Sequence, residues 1–336
     1  MDVEQRTDLL AREPELGPDL VAVARGTTPF RESMRRFTRD TRAVIAVGVF
    51  VFLVFAAFFF LPIYEHIGPT ISRQHGFSHV GPTQYHGPSY LDDQAQDEGP
   101  SGLHWLGTDD QGGDLLARLL AGIQVSLFVA ILVVGVLDVG LGVLFGVLAG
   151  YYGGVIDTVL ARFTDLIFAF PGLLFAVLVN GIFGDRASQI AGNNGRILLV
   201  SLTLGLTIWP QMARYVRGQT LQLKEQQYIE AARTVGTTSR QIITRHIIPN
   251  VASLIFVAAT LDIATTVINE GVLSLLGLGV QLPGSSLGLM IHTALPQIAY
   301  HPLEDLLPTF TLIILVLSFS FIGDGLRDAF DPRSKD

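Results

Sequence analysis

Asp138 and Asp262 each sit near the middle of a long apolar run. A carboxylate at the centre of a bilayer costs roughly 2.5–3.5 kcal/mol, and each Leu, Ile, Phe or Val returns about 0.3–0.6 kcal/mol. About six to ten apolar residues therefore offset one Asp, and both runs contain that many. Such acids should face protein or water. They could attract a cationic group, carry protons, or bond a neighbouring helix, and the last is the commoner use. Glu270, at the end of the second run, is a third candidate to line a pathway. Five of the eight histidines, at 66, 75, 79, 86 and 104, lie between the first two apolar runs. His75 and His79 could share a helix face as metal ligands. The Gly and Pro around them oppose a helix, so no metal site is expected.

Other chemistry is excluded by what is missing. The two lysines, Lys224 and Lys335, do not follow Gly, so there is no Gly-Lys-Ser/Thr phosphate loop. The chain is therefore expected to carry no nucleotide site and no cofactor of its own. His-Glu-x-x-His is also absent, which argues against a zinc-dependent intramembrane protease. Without cysteine there is no disulfide or iron–sulfur chemistry, and a net charge of −8 offers no basic surface to nucleic acid.

The elements that would position these acids are membrane helices. Of 336 residues, 49% are hydrophobic and 15% charged, against about 25% charged in soluble domains, and the mean hydropathy is +0.46. A span needs roughly 20 apolar residues, and six candidates lie near 43–63, 122–150, 160–183, 197–213, 251–271 and 306–322. In lipid the backbone must satisfy itself, which favours helices, and the alternation of a membrane barrel is absent. The expected fold is an all-α polytopic membrane protein. Eighteen Lys and Arg fall in the N-terminal tail, the 214–249 loop, the 162 junction and the C-terminal tail, against four in the alternate segments. Positive charge marks the cytoplasmic side, so both termini are expected there. The first run follows a polar tail, unlike a cleaved signal, and reads as a retained anchor. The chain then divides into a tail (1–42), a first span (43–63), an outer segment (64–121), a core of spans two to six (122–326) and a tail (327–336).

Three segments outside the apolar runs carry patterns. Asp109–Leu120 has helical spacing of Leu115, Leu116, Leu119 and Leu120, with acids at its start where the helix dipole favours them; it predicts a short helix on the outer membrane surface. Residues 272–305, broken by Pro283, Gly284 and Pro296, predict a re-entrant or interfacial piece lining a cavity. In the cytoplasmic loop, Tyr228, Ala231, Ala232 and Val235 form an apolar helical stripe. Gly236 suits a helix C-terminus, and Thr238 with Gln241 resembles a capping box. Ile242, Ile243 and Ile247 follow, and Pro249 marks the start of span five. This predicts helix, sharp turn, helix beneath the membrane. In span two, Gly142, Gly146 and Gly150 share a face that could admit a close helix.

The stretch Tyr228-Ile229-Glu230-Ala231-Ala232-Arg233-Thr234-Val235-Gly236, followed at the family's spacing by His246-Ile247-Ile248-Pro249-Asn250, resembles the EAA motif of ABC importer permeases. His246 points to the dipeptide/oligopeptide branch. Four further stretches resemble the same branch. They are His104–Asp114, with Gly107, Thr108, Asp109, Asp110 and Asp114 in the outer-loop signature and Gly113 where Arg is usual; Arg162–Asp165 leading to Ala169-Phe170-Pro171; Glu270–Gly279; and Gly323–Asp328 with Asp331-Pro332-Arg333. All five lie in order over nearly everything from residue 40 onward, and the chain is identified as similar to the C-type permease subunit of the dipeptide/oligopeptide/nickel family.

That resemblance implies the type I ABC importer permease architecture in the bacterial cytoplasmic membrane. It implies ATPase coupling through Tyr228, Glu230, Ala231, Ala232, Gly236, His246 and Pro249. Implied partners are a second, B-type permease subunit, two ATPase subunits, an extracytoplasmic peptide-binding protein and the lipid bilayer. Dipeptides or oligopeptides are the implied cargo, with nickel chelates or other small solutes as alternatives. A proton-coupled secondary transporter using Asp138 and Asp262 would leave the cytoplasmic motif unexplained.

Overall fold

The computed structural model describes residues 29–65, 87–91 and 95–330. His66, His75, His79 and His86 lie outside them, as do most of the N-terminal tail and residues 331–336. The described chain is helical, with one isolated β-bridge between Thr108 and Asp114.

A short helix α1 (Pro29–Phe37) precedes α2 (Thr41–Glu65). Asp40 caps α2, its carboxylate accepting the Arg42 amide at 2.9 Å. Ile45, Phe52 and Phe59 of α2 are exposed, as lipid-facing side chains would be. After the outer segment comes α3 (Leu115–Tyr152), 38 residues long. The surface helix expected over Asp109–Leu120 is not separate: only Leu115 onward is helical, and it runs directly into span two. No Pro interrupts the join, and Gly122 is spent on packing rather than on a turn, since a Cβ there would lie 2.9 Å from the Leu287 amide nitrogen. At 1.5 Å per residue α3 is about 57 Å long, well beyond the roughly 30 Å apolar thickness of a bilayer.

Gly153 and Gly154, at φ +68° and +55°, reverse the chain into α4 (Gly154–Phe168). The expected third span over 160–183 is in fact two helices. Pro171 pushes Phe170 away from helical dihedrals, and α5 (Gly172–Lys224) starts after it. α5 breaks at Ala191 and Gly192, the latter at φ 58°, ψ −142°. Its limbs fold back on each other: Asn180 Nδ2 donates to Thr203 Oγ1 at 2.9 Å, and a Cβ on Gly172 would meet Thr207 Oγ1 at 2.8 Å. The second limb contains the expected 197–213 span and continues to Lys224, with Pro210 carried inside the helix.

The closest packing in the fold joins α3 to this second limb. A Cβ at Gly142 would lie 2.5 Å from Met212 Cγ, at Gly146 2.6 Å from the Ala213 carbonyl oxygen, and at Gly150 2.7 Å from Thr220 Cβ. The four-residue glycine spacing thus lets two backbones meet.

Next come α6 (Gln227–Thr234) and α7 (Ser239–Leu275). The cytoplasmic helix starting at Ser239 and span five form one rod. Pro249 does not separate them, because the preceding turn is a π-segment, Ile243–Ile247, in which hydrogen bonding is already re-registered. The 272–305 piece contains α8 (Leu287–Ala294), wedged between α3 and α7. Gly288 packs so closely that a Cβ would sit 2.4 Å from the Gly271 carbonyl oxygen. Finally α9 (Pro302–Phe330) packs along α7 and α2. Five of these helices, α2, α3, α5, α7 and α9, are long and apolar enough to cross a membrane.

Candidate functional site

The helix–turn–helix elbow is built as the residue pattern predicts. α6 ends at Gly236, φ +82°, and the Thr237 amide bonds the Ala232 carbonyl at 3.0 Å. Thr238 then opens α7 with a complete capping box: its Oγ1 accepts the Gln241 amide at 3.4 Å, and its own amide donates to Gln241 Oε1 at 3.3 Å. The apolar stripe behaves differently from an ordinary core face. Ile229, fully buried, anchors α6 with Val216, Ile242 and Ile247 in one apolar cluster. Tyr228 and Val235 point outward, 44% and 81% exposed, and Glu230, Ala231 and Arg233 are exposed beside them. Ile229 stands inside the motif without belonging to the stripe, which is why periodicity alone passed over it. His246 is half-buried, its ring 6.3 Å from that of Tyr228, and Pro249 is exposed. Arg233 reaches over the Tyr151 ring at 5.4 Å, tying the elbow to the end of α3.

An ion pair also braces this end. Arg217 Nε and Nη2 donate to Asp157 at 2.5 and 2.8 Å. The hydrogen bond from Arg217 is the largest cause holding the Asp157 carboxyl below its ordinary range.

At the start of α3 the signature residues form a self-contained knot rather than an open surface. Asp114 caps α3 through the Ala117 amide at 2.9 Å and accepts Tyr64 Oη at 2.9 Å, with His104 Nδ1 also at 2.9 Å. Asp109 Oδ1 accepts the Gln111 and Gly113 amides at 3.0 and 2.8 Å, and Asp109 pairs with buried Arg118. Burial raises the Asp109 carboxyl, and Arg118 opposes that shift. Thr108 is buried and bonds the Ala95 carbonyl. Gly107, at φ +86°, has no room for a Cβ beside the Glu98 carbonyl. Asp110 accepts Gln111 Nε2 at 3.1 Å. A Cβ at Gly113 would lie 2.8 Å from Arg118 Cδ, so Arg118 occupies the space beside this glycine.

The intramembrane acids divide into two arrangements. Glu270 joins α3 to α7: Ser126 Oγ donates to its Oε2 and Ser274 Oγ to its Oε1, both at 2.8 Å. Asp138 ends the π-segment Ile131–Asp138, a distortion that frequently accompanies function. It interacts directly with Asp262 of α7. Asp138 is fully buried, and neither of its oxygens meets a hydrogen-bond donor among the described residues.

Helices long and apolar enough to cross a membrane, with an inward carboxyl pair and an elbow turned outward, define an integral membrane protein. Residues 142–336 match the family of the binding-protein-dependent transport system inner membrane component. Residues 28–88 match the N-terminal TM domain of oligopeptide transport permease C. The chain is 36% identical over 308 residues to a glutathione transport system permease protein GsiD of Pectobacterium atrosepticum, covering 92% of each. It is 34% identical over 314 residues to an oligopeptide transport system permease protein OppC of Haemophilus influenzae, covering 92% of this chain and 90% of that one. The Bacillus subtilis protein of the same name is 33% identical over 304 residues, 90% of each. The chain belongs to the binding-protein-dependent transport family, as a permease subunit of its oligopeptide/dipeptide/nickel ABC-importer branch. It is a multi-pass protein of the inner membrane and a transport subunit, not the ATPase.

Proposed function

We propose that this subunit forms half of the path by which an ATP-driven importer moves peptides inward, and that force enters it through the α6 elbow. The observation that carries this reading is the outward apolar stripe of Tyr228, Ala231 and Val235 on a helix locked from behind by Ile229. A cytoplasmic helix exposing such a stripe beside Glu230 and Arg233 is suited to a groove on another protein, the helix-in-groove mode of recognition. Its partners are a second permease subunit, two ATPases that bind ATP and Mg, and an external peptide-binding protein. With the two limbs of α5 each crossing once, six spans place both termini in the cytoplasm, in keeping with the distribution of Lys and Arg. Closure of the ATPases would then rock the α3–α5–α7 body against the second permease. Asp138 and Asp262 are the pathway candidates, because neither oxygen of Asp138 and not Oδ2 of Asp262 meets a partner among the described residues. Glu270, satisfied by two serines, fits a bracing role better than substrate contact.

The test is expression of the complete importer with Val235→Glu or Glu230→Arg. Loss of ATPase co-purification together with ATP-dependent peptide uptake is expected. Intact assembly and uptake in both variants would remove the elbow from the mechanism. Cargo is read separately, by uptake of labelled glutathione, dipeptides, longer peptides and nickel chelates. The similarity to a glutathione permease favours short peptides, and glutathione is itself a tripeptide.

A further inference from the structure

We propose that Asp97, His301 and Glu304 form a binding site for one divalent transition-metal ion, which clips the outer segment to the start of α9. The ligand atoms of the three side chains all lie within 4.8 Å of one another. Around one ion with bonds of about 2.0–2.2 Å, two ligands can stand at most roughly 4.4 Å apart. Tetrahedral angles would bring ligand atoms to about 3.4 Å apart, so closing on an ion takes side-chain rotation of up to about 1.4 Å.

The polar groups are left as a cation would require. Glu304 is 5% exposed; Asp97 is its side-chain hydrogen-bond partner, and His301 Nδ1 stands 3.8 Å away. Asp97 Oδ1 is buried with no partner. The charged groups acting on Glu304 are all acids, namely Asp97, Asp109 and Asp110. Arg118, the cation on this side of the knot, is engaged by Asp109. A buried carboxyl facing only other acids is held there either by a counter-charge or by a proton, and a divalent ion would supply the first.

Placement also fits. His301 and Glu304 stand one turn apart at the head of α9, and the Glu304 amide bonds the His301 carbonyl at 3.2 Å. Asp97 arrives from the opposite side, fixed by its amide bond to the Asp109 carbonyl at 3.1 Å. One imidazole with two carboxylates suits first-row transition ions. Three ligands fall short of the six to eight oxygens calcium takes. The site should therefore take Zn²⁺ or Mn²⁺ and leave the remaining positions to water.

The experiment uses the intact importer without a polyhistidine tag, stripped of metal and titrated with ZnCl₂, MnCl₂ and CaCl₂ by calorimetry. Wild type and Glu304→Gln are compared, so that other histidines and the ATPases contribute equally. Outer-shell groups alone change metal affinity by about 10–100-fold, so losing a ligand should weaken one Zn²⁺ or Mn²⁺ site by roughly tenfold or more. His301→Ala should do the same, and Ca²⁺ should not compete. Glu304→Gln should keep its thermal midpoint in metal-free buffer, since the amide is isosteric. If Glu304→Gln disturbs folding, Asp97→Asn supplies the comparison. Identical Zn²⁺ and Mn²⁺ isotherms in wild type and variants would overturn the site and leave a shared proton as what holds the two carboxyls together.

Discussion

Asn180 and Thr203 are 23 positions apart in the chain, yet their side chains hydrogen-bond at 2.9 Å. An unbroken helix would hold them about 34 Å apart. The reversal depends on Gly192, whose φ of 58° with ψ of −142° lies where a side chain is strained. Gly192→Val should cost about 1–3 kcal/mol and lower the thermal midpoint in detergent. Gly218→Ala, in open surroundings, serves as the control and should change little.

Gly146 is the tightest backbone contact between α3 and α5. An alanine there would place Cβ 2.6 Å from the Ala213 carbonyl oxygen, and a backbone atom cannot rotate away. Gly146→Leu should abolish assembly, and Gly146→Ala should destabilise by about 1–3 kcal/mol. Yield after gel filtration, with denaturant unfolding of what remains, measures both.

Glu270 bridges Ser126 and Ser274 in a fully enclosed position. Glu270→Ala strands two hydroxyls and should cost about 1–3 kcal/mol. The double change Ser126→Ala with Glu270→Leu should cost less than those two single changes summed, because only the Ser274 hydroxyl is then left without its carboxylate partner. A double-mutant cycle on thermal unfolding reads the coupling.

Thr238 sets the angle between α6 and α7. Thr238→Ala removes the capping box and should cost the elbow about 1 kcal/mol, while Thr238→Ser should retain it. Hydrogen exchange over residues 227–247 should rise in the first variant and not in the second. ATP-driven uptake should fall in parallel if the elbow transmits force.

Asp157 and Arg217 give a pH dependence with a fixed sign. The carboxyl is held below its usual range, chiefly by the Arg217 hydrogen bond. The stabilisation it provides is therefore complete above the ordinary carboxylate pKa and is lost as pH falls through the depressed one. Wild type and Asp157→Asn should differ by a constant midpoint from pH 8 down to about 5, and converge below about pH 4. A gap that widened on acidification would contradict the pairing.

The sequence by itself determined what depends on local or compositional physics. Apolar runs over Thr41–Glu65 and Pro302–Phe330 had to be helices, since lipid offers the backbone no other partner. Gly236 and the Thr238–Gln241 pair announced the elbow, because caps are made by residues within a few positions of one another. The glycines of α3 announced a close approach but not its partner. Tertiary structure decided what depends on distant residues. Only folding brings Asp138 to Asp262, Ser126 to Glu270 and Asp97 to His301 and Glu304. It also turned the stripe of α6 outward, since Ile229 found the pocket formed by Val216, Ile242 and Ile247. The boundaries misread from sequence, the surface helix merged into α3 and the third span split at Pro171, have one cause. Hydropathy records which residues avoid water, but helix continuity is set by backbone dihedrals and by what packs at the joint.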